Sequence, residues 1–260
     1  MIKKAILLGR KAGSAQALRW MLNNKITVPF VVADPKEDRG THLSSIAKNL
    51  GIPVYSDDAL VYKMIEEQNP VLTNTDLVIS YLYHKKIKEP LYKLGKRGCI
   101  NFHPAPLPDY KSRAGYNTAI LDQKKEFGVS AHFIDSENFD SGPIIQVLRF
   151  PIDHEAELVL SLERKTQEKL FELFVQTMKL FLSNEKIETT KNSGGLYLTA
   201  KELENLKVVD PTKDSSAEID RKIRAFFFPP HHGAKIILAG KEYTLVNKEV
   251  LEYIAKLIHQ

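Results

Sequence analysis

The chain has 260 residues, 43% of them apolar, with a formal net charge of +5, a pI near 9.0 and a single cysteine. That apolar content fills the core of one large domain, or of one domain with a small appendage, and the lone cysteine excludes an internal disulfide or a thiolate-rich metal site. No apolar run reaches the roughly 20 residues of a membrane span and no charged-then-apolar leader opens the chain, so a cytoplasmic protein without a membrane partner is the expectation.

In chain order, residues 5–8 read as a buried strand, 9–13 as a turn, 15–22 as a helix and 28–33 as a second strand, which is a βαβ opening. A helix over 42–50, a short strand at 54–55, a helix over 60–68 and a buried strand over 77–81 follow. After a helix around 90–94, a further strand ends at Asn101, at the edge where open parallel sheets place their ligands. Pro104, Pro106 and Pro108 then predict a stiff, extended loop. Residues 114–123 read as a helix, and 129–134 and 144–150 as a hairpin with Asp140 in its connection. Apolar spacing over 156–182 predicts one long helix. Beyond the loop-like Asn192-Ser193-Gly194-Gly195, the tail carries a short helix, the segment Phe226-Phe227-Phe228-Pro229-Pro230 and a hairpin across Ala239-Gly240-Lys241. The expected organisation is an α/β domain over 1–190 and a small α+β subdomain over 191–260, without internal repeats.

Three residues carry most of the chemistry. Asn101 and His103 are two apart at the end of an apolar run, so a strand points both side chains to one side. An imidazole moves protons near neutral pH, while an amide donates to an oxygen that gains negative charge; together they suit acyl transfer. Asp140, in Asp140-Ser141-Gly142-Pro143, supplies a carboxylate that would raise the pKa of His103, unless it is only a turn residue. Asn101 could equally be a strand-terminating cap.

Other features weigh less. Gly9, Gly13 and Asp34 fit a dinucleotide site only in part, because the three-glycine spacing is missing, so no NAD site is expected. Eight histidines without chelating spacing give no metal site. Cys99 reads as a buried, inert thiol rather than a nucleophile. The positive charge favours phosphates, carboxylates or nucleic acid as partners, and Lys85, Lys86, Lys88, Lys93, Lys96 and Arg97 form its densest stretch, read as a solvated helix face. Three consecutive aromatics cannot all face one core, so at least one ring of 226–228 is expected exposed, with Phe228 a candidate for stacking on a nucleotide base.

Asn101-Phe102-His103-Pro104, with Leu107-Pro108, Tyr110-Lys111 and then Asp140-Ser141-Gly142-Pro143-Ile144-Ile145, resembles the formyltetrahydrofolate-dependent formyltransferases. Within them, Asn101 to Pro108 and Ala114-Gly115-Tyr116-Asn117 are most similar to bacterial sugar N-formyltransferases. The resemblance implies a Rossmann-like fold with N10-formyltetrahydrofolate as co-substrate, and Asn101, His103 and Asp140 as the catalytic residues. It implies a pterin pocket at Tyr81, Leu82, Tyr83, Ile134, Asp135 and Asn138, although the aromatic strand end at 81–83 also suits core packing. The acceptor is expected to be a UDP- or dTDP-linked amino sugar, as in lipopolysaccharide biosynthesis, met by Tyr110, Lys111, Arg113 and Tyr116. Many members have Tyr-Arg-Gly or Tyr-Lys-Gly where this chain has Tyr110-Lys111-Ser112-Arg113, which leaves acceptor identity open. Methionyl-tRNA and glycinamide ribonucleotide formylation are rival activities, the first disfavoured by a tail without a strong basic face. A nucleotide- or RNA-binding module is the non-enzymatic rival; nucleic acid is not the expected partner, and a homodimer is left open.

Overall fold

The computed structural model describes residues 1–34, 36, 40–113, 115–183 and 185–258. Its first half alternates β1 (Ala5–Gly9), α1 (Lys11–Asn23), β2 (Val31–Val32), α2 (Leu43–Asn49), β3 (Val54–Tyr55), α3 (Ala59–Glu66), β4 (Leu77–Tyr81) and β5 (Cys99–His103). Then come β6 (Tyr110–Lys111), α4 (Gly115–Leu121), β7 (Glu126–Phe133), β8 (Ile144–Pro151) and α5 (Val159–Ser183). The central sheet has seven strands in the order β3-β2-β1-β4-β5-β7-β8. The five strands from β3 to β5 pair in parallel, whereas β5 meets β7 antiparallel. Every residue of β1 and β4 is buried, as continuous apolar runs covered on both faces require. This is the expected α/β, mostly parallel, Rossmann-like sheet, with the carboxyl end of β5 at the edge where open sheets of this kind generally bind ligands.

By contacts the chain divides into two compact units, one of residues 1–109, 128–148 and 167–195, the other of residues 110–127, 149–166 and 196–260. In the first, one sheet face packs Ile6, Leu8, Val32, Val78 and Cys99 against Val61 and Met64 of α3. The opposite face is aromatic: Tyr81 and Phe102 lie 5.8 Å apart and both pack on Phe174 of α5, which also meets Trp20 of α1 edge-on.

The second unit adds β9 (Leu196–Tyr197), α6 (Ala200–Leu206), α7 (Ser216–Phe226), β10 (Lys235–Leu238), β11 (Lys241–Thr244) and α8 (Lys248–Ile258), around a core of Leu158, Val209, Ile223, Ala234 and Val250. β6 pairs with β9. Helices α6 and α7 start at capping boxes, Thr199 with Glu202 and Ser215 with Glu218, each satisfying otherwise orphaned amides at both ends of the box. Among the described residues the tail therefore holds three helices where one short helix was expected. Its hairpin turns at Ala239 and Gly240, both at positive φ, the geometry that matches strand twist in a two-residue turn. No ring of the aromatic run is fully exposed: Phe226 is buried, Phe227 packs on the core, and half-buried Phe228 stacks on His231 at 5.9 Å.

Several boundaries move. The second strand shortens to two residues, the turn at 91–93 is 3-10 rather than α, and β5 continues past Asn101 to include His103. The proline loop bends and turns rather than running extended, because Ser130 draws it back onto β7, donating to the Ala105 carbonyl and accepting from the Leu107 amide. The helix expected from residue 114 is described from Gly115, Ala114 lying outside the described residues. No helix among the described residues is long and apolar enough to cross a membrane.

Helix α1 begins at Lys11, so Gly13 lies in its first turn and not in a loop. Its glycine is needed for packing: a Cβ there would sit 2.8 Å from the hydroxyl of Tyr81. That hydroxyl is buried and finds no hydrogen-bond partner among the described residues, which carries a penalty of about 1–3 kcal/mol. Tyr81→Phe should therefore stabilise the protein or leave it unchanged in urea denaturation, and Gly13→Ala should destabilise it less in that background than in the wild type. Equal destabilisation in both would refute the contact.

Candidate active site

Three neighbouring strands place one polar row in an otherwise apolar sheet. Ser80 on β4 is in register with Asn101 on β5, and Asn101 with His132 on β7. Paired residues share a face, so the side chains meet. Ser80 Oγ donates to Asn101 Oδ1 at 2.8 Å, and Asn101 Nδ2 lies 3.0 Å from His132 Nε2. Asp140 reaches the same point from the β7–β8 connection: its Oδ1 is 3.1 Å from Asn101 Nδ2, 3.3 Å from His132 Nε2 and 3.4 Å from His103 Nδ1. Asn101, His103 and Asp140 are thus brought together around one carboxylate oxygen.

Hydrogen bookkeeping fixes most of the roles. His132 Nδ1 is 2.8 Å from the Phe133 carbonyl, which only accepts, so Nδ1 carries the proton and Nε2 of the neutral ring is left as acceptor. Asn101 then spends one amide hydrogen on His132 and one on Asp140, while its oxygen takes the Ser80 hydroxyl. An inverted amide would set its oxygen against the carboxylate, so this orientation is the one in which both amide hydrogens are donated. The 3.4 Å separation of His103 from Asp140 is long for a hydrogen bond and within the range of an ion pair. With its Nδ1 hydrogen toward Asp140, the ring has Nε2 as its proton-exchanging atom, the arrangement of a carboxylate-oriented imidazole.

The Asp140-Ser141-Gly142-Pro143 motif has a steric reason. Asp140 adopts φ +47, a left-handed conformation that Asp tolerates in turns, and a Cβ on Gly142 would fall 1.9 Å from the Phe133 carbonyl oxygen. That oxygen is the one His132 Nδ1 holds, so the glycine lets the loop press directly on the end of β7. His132, Ser80 and Ser130 were not singled out from the sequence. Their signal was present: each is a polar residue inside an apolar strand, and each proves buried.

Of the residues expected at a pterin pocket, Tyr81 is fully buried with its ring in the aromatic core, and its carbonyl accepts from the Arg10 amide. Leu82 follows at φ +58, and Tyr83 packs beside Ile134 on the α3 face. Burial, with the Asp58 carboxylate nearby, pushes the Tyr83 hydroxyl pKa well up, so it stays protonated. Ile134 and Asp135 line a cavity of 590 Å³ with Tyr92, Cys99, Phe133 and Pro143, whereas Asn138 is exposed and its carbonyl accepts from Ser141. Cys99 is fully buried and its thiol pKa is driven up by desolvation, an inert state.

The residues expected to meet the acceptor all belong to the second unit. Tyr110 is buried, its hydroxyl 3.4 Å from Asp122, and both it and Tyr116 pack on Phe127. Lys111 is half-buried and Arg113 exposed. Asp34 accepts from the Lys36 amide within its own loop. Among the described residues no group of three His, Cys, Asp or Glu side chains is arranged to hold a metal ion.

Residues 14–178 match the formyl transferase family, and the protein belongs to it. GDP-perosamine N-formyltransferase of Brucella melitensis is 34% identical over 176 residues, 67% of this chain and just under two thirds, 66%, of that enzyme's own length. Methionyl-tRNA formyltransferase of Thermotoga neapolitana is 27% identical over 251 residues, 93% of this chain and 78% of its own. Among solved structures, a 4-N formyltransferase from Francisella tularensis shares the fold with a TM-score of 0.75 at 20% identity, covering 94% of this chain and 97% of that one. An N-formyltransferase from Helicobacter canadensis, solved with folinic acid and dTDP-3-aminofucose, gives 0.70 at 23% identity, covering 95% and 89%.

Two measurements check this geometry. Nitrogen NMR of neutral His132 should show the proton on Nδ1, and a proton on Nε2 instead would overturn the hydrogen assignment. Gly142→Ala must shift the Asp140 loop, and a misplacement of about 1 Å should lower any activity of the site by about 100-fold. An unchanged rate would show that the loop does not orient Asp140.

Proposed function

We propose that the protein moves a formyl group from N10-formyltetrahydrofolate to the amine of a nucleotide-linked amino sugar. The observation that carries this reading is the convergence of Asn101, His103 and Asp140 on one point in a formyl transferase chain. The uncharged amine attacks the formyl carbon, forming the new C–N bond and a tetrahedral oxyanion. Asn101 Nδ2 donates to that oxygen, which replaces Asp140 as acceptor of one amide hydrogen. His103, oriented by Asp140, takes the proton that the attacking amine loses and returns it to N10 as the C–N10 bond breaks. His132 and Ser80 keep the amide aimed. The products are a formamido sugar and tetrahydrofolate.

The open cleft of about 590 Å³ beside Ile134 and Asp135 is in the size range of a small-molecule site, and the family resemblance of these two residues is what assigns the pterin there. In the second unit, Lys111 and Arg113 are the candidates for the acceptor's diphosphate and Phe228 for its base. The sequence reading favoured UDP or dTDP; the Brucella relative is named for a GDP-sugar and the Helicobacter structure for a dTDP-sugar, so GDP joins the acceptors to be tested. Formylation of methionyl-tRNA is the second reading, favoured by a sequence alignment that spans 93% of this chain against 67% for the GDP-perosamine enzyme.

The test is a formyl-transfer assay on UDP-, dTDP- and GDP-linked amino sugars, with methionyl-tRNA and glycinamide ribonucleotide alongside. A nucleotide sugar should be formylated, and Asn101→Ala and His103→Ala should each slow turnover by about 100- to 10,000-fold while remaining folded. Formylation of methionyl-tRNA alone would reject the acceptor class, and wild-type rates in both variants would reject the mechanism.

A further inference from the structure

Asp140 is aimed by its own backbone, and that backbone is held from outside the motif. Asn192, far along the chain after α5, donates its side-chain amide to two carbonyls of the loop, those of Asp140 and Gly142, each at 2.9 Å. Both hydrogens of Nδ2 are used. The amide oxygen is left buried without a hydrogen-bond partner among the described residues, an unfavourable state that the double donation offsets. An inverted amide would face its oxygen toward two carbonyl oxygens, so the donor assignment follows from chemistry. Asp cannot replace this side chain, having no donor when ionised, and Ser has a single one.

The segment carrying Asn192 is itself fastened at both ends. Thr190 and Ile144 exchange two backbone hydrogen bonds of 2.8 and 2.9 Å, tying it to the start of β8. At the other end Gly195, at φ +84, presses on the loop that follows His103: a Cβ there would lie 1.6 Å from the Pro108 carbonyl oxygen. One short stretch therefore braces both the loop that carries Asp140 and the loop that leaves β5 after His103.

We infer that Asn192 is a positioning residue for the transfer reaction, acting through Asp140 by locking the left-handed turn from which the carboxylate reaches His103 and Asn101. The inference rests on the function proposed above. It does not require Asn192 to touch substrate.

The full-length chain is compared with Asn192→Ala and Asn192→Asp, using an acceptor that the wild type formylates. Asn192→Ala should keep its circular dichroism and its KM values within about twofold, while kcat falls by about 10- to 100-fold. Asn192→Asp should fall at least as far, since it sets a carboxylate against two carbonyls. In an Asp140→Asn background, Asn192→Ala should slow the residual rate by less than about twofold, because residues acting through one contact are not additive. An activity-independent readout accompanies these: the side-chain amide resonances of Asn101 should move in Asn192→Ala. Wild-type kcat, a loss confined to KM, the same factor in the Asp140→Asn background, an unfolded Asn192→Ala or unmoved Asn101 resonances would each overturn the inference. Absence of formyl transfer by the wild type would instead reject the proposed function, with the Asn101 resonances still deciding the role of Asn192.

Discussion

Burying a carboxylate costs several kcal/mol unless donors surround it, and Asp140 is 8% exposed. The site is arranged to meet that cost. The amide of Asn101 and the ring of His103 both turn toward Asp140 Oδ1, and His132 stands at the same oxygen while it accepts the amide's other hydrogen. Each group has few alternatives once the carboxylate is in place, so the amide cannot rotate and the neutral His132 ring has one tautomer. A reacting carbonyl entering here would meet donors already aimed, which is the kind of preorganisation that stabilises developing charge.

The sheet makes that convergence possible by a change of direction. A parallel β5 brings Asn101 and His103 to the carboxyl edge, and an antiparallel β7 brings Ser130 and His132 back along it in register. The β7–β8 connection leaves β7 beside Cys99, at the start of β5, and Gly142 and Asn192 hold it close enough for Asp140 to reach Asn101. The two serines divide the work: Ser80 orients the amide of Asn101, and Ser130 folds the proline loop over the strand.

Long apolar runs were legible in the sequence. The buried strand β4 and the helix α5 came close to their observed bounds, because continuous or helically spaced apolar residues have few other uses. The Asn101–His103 pair was legible for the same reason, as was Asp140 through its motif. Gly13 misled, since its role is to leave room for a tyrosine that approaches from a strand 68 residues later, which no local pattern encodes. The uses of His132 and Asn192 were not legible for a related reason: an isolated polar residue can stand out in a strand or loop, but its role shows only once its neighbours across the sheet or loop are known. The helices α6 and α7 carry the capping signals Thr-x-x-Glu and Ser-x-x-Glu, and α8 an amphipathic spacing, none of which entered the reading of the tail.

If the charge of Asp140 is the hub, removing it without changing its shape should disable the site without unfolding the protein. Turnover of Asp140→Asn, measured beside its thermal melting point, tests this most directly. The account predicts a fall of at least about 1,000-fold with little change in melting temperature. A variant that turns over as fast as the wild type would contradict it.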